Sequence, residues 1–145
     1  MKRKERALEL FRNHSNCSQA VFTAYRQADE MDEITAMKLA TMFGAGCAGT
    51  GNELCGAVNG ALLALSMKYG MGDLQSIALK AECYARGRHF MEEFTAILGS
   101  CSCEGVIGLN LGTPENLQKA KEMKLFETRC LEAVRTAADI LETML

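Results

Sequence analysis

The 145-residue chain has no tryptophan and a single proline, and its 16 lysines and arginines do not outnumber its 18 aspartates and glutamates. With only Pro114 to break them, helices can run almost anywhere. Without a basic excess the chain lacks the electrostatic footprint of a nucleic-acid binder. Its one positive cluster, MKRKER at residues 1–6, reads as a solvated first helical turn. No apolar run approaches the roughly 20 residues needed to span a bilayer; the longest, GALLALSM, covers residues 60–67. The opening MKRKERALELFRN mixes Glu and Arg into its apolar residues, so no secretory signal is expected. These absences point to a cytoplasmic protein that binds neither nucleic acid nor membrane. Several short signatures are missing as well. There is no C-x-x-C for a thioredoxin-type pair or zinc ribbon, and no C-x-x-C-H for attached haem. H-E-x-x-H, G-x-S-x-G and the P-loop are also absent. GAGCAGTG at 44–51 superficially resembles a dinucleotide loop, but no strand precedes it.

What the chain does have is cysteine, seven of them, and thirteen glycines. Hydrophobic residues at 48% and charged residues at 23% suit a globular chain, and this length is about one domain. In a reducing compartment structural disulfides are rare, so clustered cysteines indicate metal ligation or redox chemistry. An odd number cannot all pair internally. Free cysteine is also among the most buried residue types, and Cys83 and Cys130 are expected to be such structural thiols.

Apolar spacing predicts an all-α, single-domain bundle over residues 1–145, with about six to seven helices and two glycine/cysteine-rich loops. Leu8 and Phe11 mark the first helix. Asn16 with Gln19 is a capping-box start for the second, whose apolar positions are Ala20, Val21, Ala24 and Tyr25. Ile34, Met37, Leu39, Met42 and Phe43 are the expected apolar positions of the third. After the first glycine loop, residues 54–69 read as a buried helix with Gly56 and Gly60 on one face. Each helical glycine costs up to about 1 kcal/mol relative to alanine, so close approach of a helix, a partner chain or a cofactor is expected to offset it. A homodimer packed through this Gly56/Gly60 face is the oligomer the pattern suggests. Asp73 is expected to cap the longest helix, residues 74–98, with Leu74, Ile77, Ala81, Tyr84, His89, Met91, Phe94 and Ile97 as its apolar positions and Gly87 as a bend. Residues 99–112 read as irregular. Thr113, Pro114 and Glu115 make a strong helix start. Leu131, Val134, Ala138 and Leu141 form the stripe of the last helix.

Cys17, Cys47, Cys55 and one of Cys101 or Cys103 fall at helix starts or in glycine turns. Free N–H groups and partial positive charge at a helix N-terminus stabilise thiolate over thiol, so Cys17 and Cys55 are expected to have lowered pKa values. Glycines around Cys47 can aim successive N–H groups at sulfur. Three chemistries stay open on this pattern. The thiolates could hold an iron–sulfur cluster. Cys17 or Cys55 could attack a disulfide or persulfide without a cofactor. They could bind zinc in a structural site. His14, three residues before Cys17, is a further candidate ligand or base. His89 reads as a half-buried helical residue, Glu92 and Glu93 as a solvated face.

Four segments in order, NCSQAVFTAY (16–25), GAGCAGTGNELCGAVNGALLALSMKYG (44–70), GSCSCEGVIG (99–108) and CLEAVRTAADIL (130–141), resemble a family of small bacterial and archaeal redox-active proteins. That family is named for a Cys, a G-C-A-x-x-G motif and two further Cys, and GCAGTG at 46–51 satisfies the central motif. The resemblance implies a redox role, an electron carrier or accessory protein with an iron–sulfur or other prosthetic group and a redox partner protein. It assigns no reaction. It maps the site onto Cys17, Cys47, Cys55 and Cys103, with Gly46, Gly49 and Gly51 shaping the cofactor loop. Cys103 is preferred to Cys101 because the family's Gly-Ser stands a few residues ahead of its Cys.

Overall fold

The computed structural model describes residues 1–145 and contains eight α-helices and no strand. They are α1 (Arg3–Arg12), α2 (Cys17–Tyr25), α3 (Glu33–Ala40), α4 (Gly56–Tyr69), α5 (Ala78–Leu98), α6 (Cys103–Ile107), α7 (Pro114–Glu122) and α8 (Leu131–Met144). Local chemistry sets several of their ends. Asn16 Oδ1 accepts the Gln19 N–H at 2.8 Å while Gln19 Oε1 accepts the Asn16 N–H at 3.0 Å, closing the capping box at α2. Thr113 Oγ1 accepts the Asn116 N–H ahead of Pro114, the first residue of α7.

Helix α2 is the centre of the bundle. Seven of its nine residues are buried, and it packs against α1, α3, α4 and α8. Its Tyr25 hydroxyl donates to Glu142 Oε1 at 2.7 Å, tying it to the end of α8. Helix α4 is buried at Gly56–Ala61, Ala64 and Leu65, and its glycines explain how it comes so close to α2. A Cβ on Gly60 would lie 2.6 Å from the Ser18 carbonyl oxygen, closer than real Cβ contacts allow. The Gly56/Gly60 face is therefore taken up by α2 of the same chain.

Two helices differ from the sequence expectation in which residues face inward. Helix α3 packs on α2 through Ala36 and Ala40, while Ile34, Leu39 and Met42 point to solvent. Small alanines allow close helix contact, and at the rim of the bundle the larger side chains of α3 are left uncovered. In α5 only Phe90 and Phe94 are buried; Leu74, Ile77, Tyr84 and Ile97 lie exposed. Asp73 caps a 3₁₀ turn, Leu74–Ser76, by accepting the Gln75 and Ser76 N–H groups at 2.9 Å, and α5 begins only after it. The helix runs on through Gly87, where the missing Cβ accommodates Leu62.

The main core comprises 24 buried residues drawn chiefly from α1, α2, α4, α5 and α8. A smaller core gathers Cys103, Ile107, Leu111 and Ala120. Stretch 99–112, expected to be irregular, contains the short helix α6. A π-turn, Phe126–Cys130, leads into α8. No helix is long and apolar enough to cross a membrane.

Candidate functional site

Where the two cores meet there is a cavity of about 470 Å³, walled mainly by apolar side chains such as Phe11, Val106, Ile107, Leu111 and Phe126. Four cysteines line it: Cys17, Cys55, Cys103 and Cys130. Three of them occupy helix starts. Cys17 is the first residue of α2, Cys55 is the N-cap of α4, and Cys103 is the first residue of α6. The fourth closes the π-turn before α8.

Backbone pairing sets two of these sulfurs side by side. The Cys55 N–H donates to the Cys101 carbonyl at 2.7 Å, and the Cys103 N–H donates to the Glu53 carbonyl at 2.9 Å. Leu54 and Ser102 thus face each other as an antiparallel bridge. This two-rung clamp holds the starts of α4 and α6 together and carries Cys55 and Cys103 into the cavity. Cys101 sits on the same clamp but contributes only its carbonyl. Its sulfur turns to α5, donating to the Met91 carbonyl at 3.3 Å and lying 3.1 Å from Thr95 Oγ1.

The G-C-A-x-x-G loop has an unusual backbone. Ala45, Gly46, Cys47, Ala48 and Gly49 form five consecutive residues with φ between 51° and 73°. Left-handed backbone costs roughly 1–2 kcal/mol per non-glycine residue. Ala45, Cys47 and Ala48 are held there by cross-links: the Ala48 N–H donates to the Met42 carbonyl at 2.6 Å and the Gly51 N–H to the Ala45 carbonyl at 2.9 Å. Asn59, buried in α4, donates through Nδ2 to the Phe43 carbonyl at 3.0 Å and to the Cys47 sulfur at 3.2 Å. Cys47 does not line the cavity, and neither do Gly46, Gly49 or Gly51. A Cβ on Gly46 would strike Gly51 backbone at 2.7 Å. Gly46 lets the loop close on Gly51, and Gly51 in turn lets it pack against the Leu111 and Gly112 backbone. The loop residue that reaches the cavity is Ala45.

The thiols are not activated by their helix ends as the sequence suggests. Burial pushes the Cys17 thiol up, although the N–H groups of Ala45, Ser18 and Gly56 pull the other way. Cys55 is pushed well up by burial and then by the negative charge of Cys17. Cys103 is raised to about 11, mainly by burial and then by Cys17 and Cys47. Cys130 is raised by the same combination, burial first and then Cys17 and Cys103. Desolvation in an apolar cavity outweighs the stabilisation an N-terminus offers a thiolate. Without a cation the four sulfurs remain thiols at neutral pH.

His14 lies at the cavity wall with left-handed backbone at φ 75°, beside Arg12, with Glu127 also on the cavity wall. The cysteine that sequence reasoning set aside is Cys130. Its signal was indirect, since a cysteine immediately before an amphipathic stripe looks like one more core residue. Cys83 lies apart, in a shallow groove between α4 and α5.

The donor set can be weighed against the groups thiolates hold. No three His, Cys, Asp or Glu side chains converge closely enough to bind one metal ion, as a zinc site with ligands about 2.0–2.3 Å from a single centre requires. A multi-iron cluster is ligated at separate irons, so its cysteines surround a volume instead of a point. Four thiols spread around one cavity fit the second description.

The family model described as "Putative redox-active protein (C_GCAxxG_C_C)" matches residues 15–144. An uncharacterized protein of Archaeoglobus fulgidus is 31% identical over 147 residues, covering 96% of this chain and 90% of that protein. No solved structure matches.

Proposed function

The chain belongs to the C_GCAxxG_C_C family of redox-active proteins, and we propose that within it the protein is an electron carrier or accessory redox protein whose cavity thiols hold an iron–sulfur cluster. The observation that carries this reading is the meeting of Cys17, Cys55 and Cys103, each at a helix start, on one apolar-walled cavity. Bound there, a cluster would supply one-electron chemistry at a potential set by its charge, its hydrogen bonds and its exposure.

The chain's own residues do the rest. Cys17 offers its sulfur to N–H groups of Ser18, Ala45 and Gly56, which stabilise negative charge on it. Phe11, Val106, Ile107, Leu111 and Phe126 keep water away and lower the local dielectric. The Cys55–Cys101 and Cys103–Glu53 backbone bonds keep two sulfurs in fixed relation. The raised thiol pKa values weigh against cofactor-free exchange, because attack on a disulfide needs thiolate. Iron held by these cysteines would remove this obstacle, since metal coordination deprotonates a thiol outright. The reading places the protein in a reducing, cytoplasmic compartment, where its seven unpaired cysteines persist, and gives it a redox partner protein.

Anaerobic reconstitution with ferrous iron and sulfide tests the reading. Wild type should gain a broad visible absorbance, and C17S, C55S and C103S should each lose it. Equal absorbance in all four proteins would overturn the assignment.

A further inference from the structure

The cavity is lined by one sulfur more than the three at helix starts, and it is not the motif cysteine. We propose that Cys130 is the fourth sulfur of the site and that Cys47, inside the G-C-A-x-x-G motif, is not part of it. This rests on the reading of the cavity as a cluster site and names the ligand that completes it.

Three independent features support Cys130. It lines the cavity with Cys17, Cys55 and Cys103, whereas Cys47 does not. Cys47 instead has its sulfur held by Asn59 Nδ2–H, a bond that also anchors the left-handed loop to α4. That gives the motif cysteine a structural task.

The second feature is the π-turn. Phe126–Cys130 carries wider backbone hydrogen bonding than an α-helix, and single π-turns are frequent at functional sites. Cys130 ends the turn with helical backbone four residues before Val134, so it stands at the cavity end of the α8 face, next to Leu131 and Ala133, which line the cavity too.

The third feature ties the π-turn to the other sulfurs. Arg129 Nε donates to the Val106 carbonyl of α6 at 2.8 Å. Val106 lies three residues beyond Cys103 in the same short helix. The bond therefore fixes the segment carrying Cys130 against the helix that begins with Cys103. Upstream, Lys124 has left-handed backbone at φ 55°, making the reversal that brings the π-turn back over the cavity.

Two experiments test this. In the first, metal-free wild type is treated with dibromobimane, which bridges neighbouring thiols, and the bridged peptides are mapped by mass spectrometry. Cys130 should be found bridged to Cys17, Cys55 or Cys103, with no bridge from Cys47 to these. Bridges that include Cys47 and omit Cys130 would overturn the inference, and this readout needs neither a cluster nor a variant that folds. In the second, C130S and C47S are reconstituted with iron and sulfide. C47S should keep the wild-type iron content and spectrum, and C130S should lose most of both. Retention by C130S, or loss by C47S, would overturn it. If wild type takes up no iron while the bimane bridges still include Cys130, the cluster reading fails and the sulfur set stands.

Discussion

The sulfur of Cys17 lies directly against the first residue of α4: a Cβ built on Gly56 would stand 2.2 Å from Cys17 Sγ and 3.0 Å from Gly44 Cα. The buried Gly44 backbone cannot give way, so the Cys17 side chain has to turn. Gly56→Ala should therefore displace the sulfur from the cavity wall. Over-packing of this kind costs about 1–3 kcal/mol. Denaturant unfolding of the metal-free variant should show that loss, and iron reconstitution should fail even where the variant folds.

The cavity thiols give the metal-free protein an alkaline limit. Their folded pKa values are raised above the ordinary thiol value of 9.0, with Cys103 at about 11. The unfolded chain therefore loses these protons first as pH rises. Stability from this source is complete below pH 9 and falls as pH climbs through about 11. Urea midpoints measured from pH 7 to 11 should be flat at first and then fall. A maximum at high pH would contradict the burial of these thiols.

Asn59 is buried in α4, and its amide reaches the Phe43 carbonyl, the Cys47 sulfur and, at 3.4 Å, the Leu54 carbonyl. Asn59→Ala leaves those acceptors without a donor, which costs about 1–3 kcal/mol. The Cys47 loop should loosen with it. Alkylation of Cys47 should become faster in the variant than in wild type, with a matching drop in thermal midpoint.

Ala48 is exposed and held at φ 52°. Glycine takes that conformation without the side-chain clash, at the cost of a more flexible unfolded chain. Ala48→Gly should stabilise the protein by up to about 1 kcal/mol. A thermal midpoint that fell would mean the loop is held by something its backbone does not reveal.

Much of the helical frame was legible from local chemistry. The Asn16 capping box, the Thr113–Pro114 start and the stripe Val134, Ala138 and Leu141 depend on residues within a few positions of each other. Helix α3 was read the wrong way round because its alanines carried the packing and its larger side chains did not. The apolar residues of α5 drift around its axis, and only contact with the rest of the bundle could show that Phe90 and Phe94 are the ones enclosed. At the site, Cys17 and Cys55 stood out by their helix-start positions, whereas Cys103 was preferred to Cys101 only through the family resemblance. Cys130 did not stand out, because a cysteine just ahead of an amphipathic stripe looks like one more core residue, and only the fold shows that this end of α8 meets the cavity. The thiol pKa directions were also out of reach, since helix-end stabilisation is local while desolvation depends on which distant side chains close the cavity.

The central claim is that the cavity sulfurs together hold an iron–sulfur cluster. Iron and acid-labile sulfide content, with a visible spectrum, measured on protein purified without oxygen, tests it most directly. The account predicts iron and sulfide in comparable amounts and a broad visible band that disappears on chelation. Protein that contains neither iron nor sulfide, and takes up neither on anaerobic reconstitution, would contradict it.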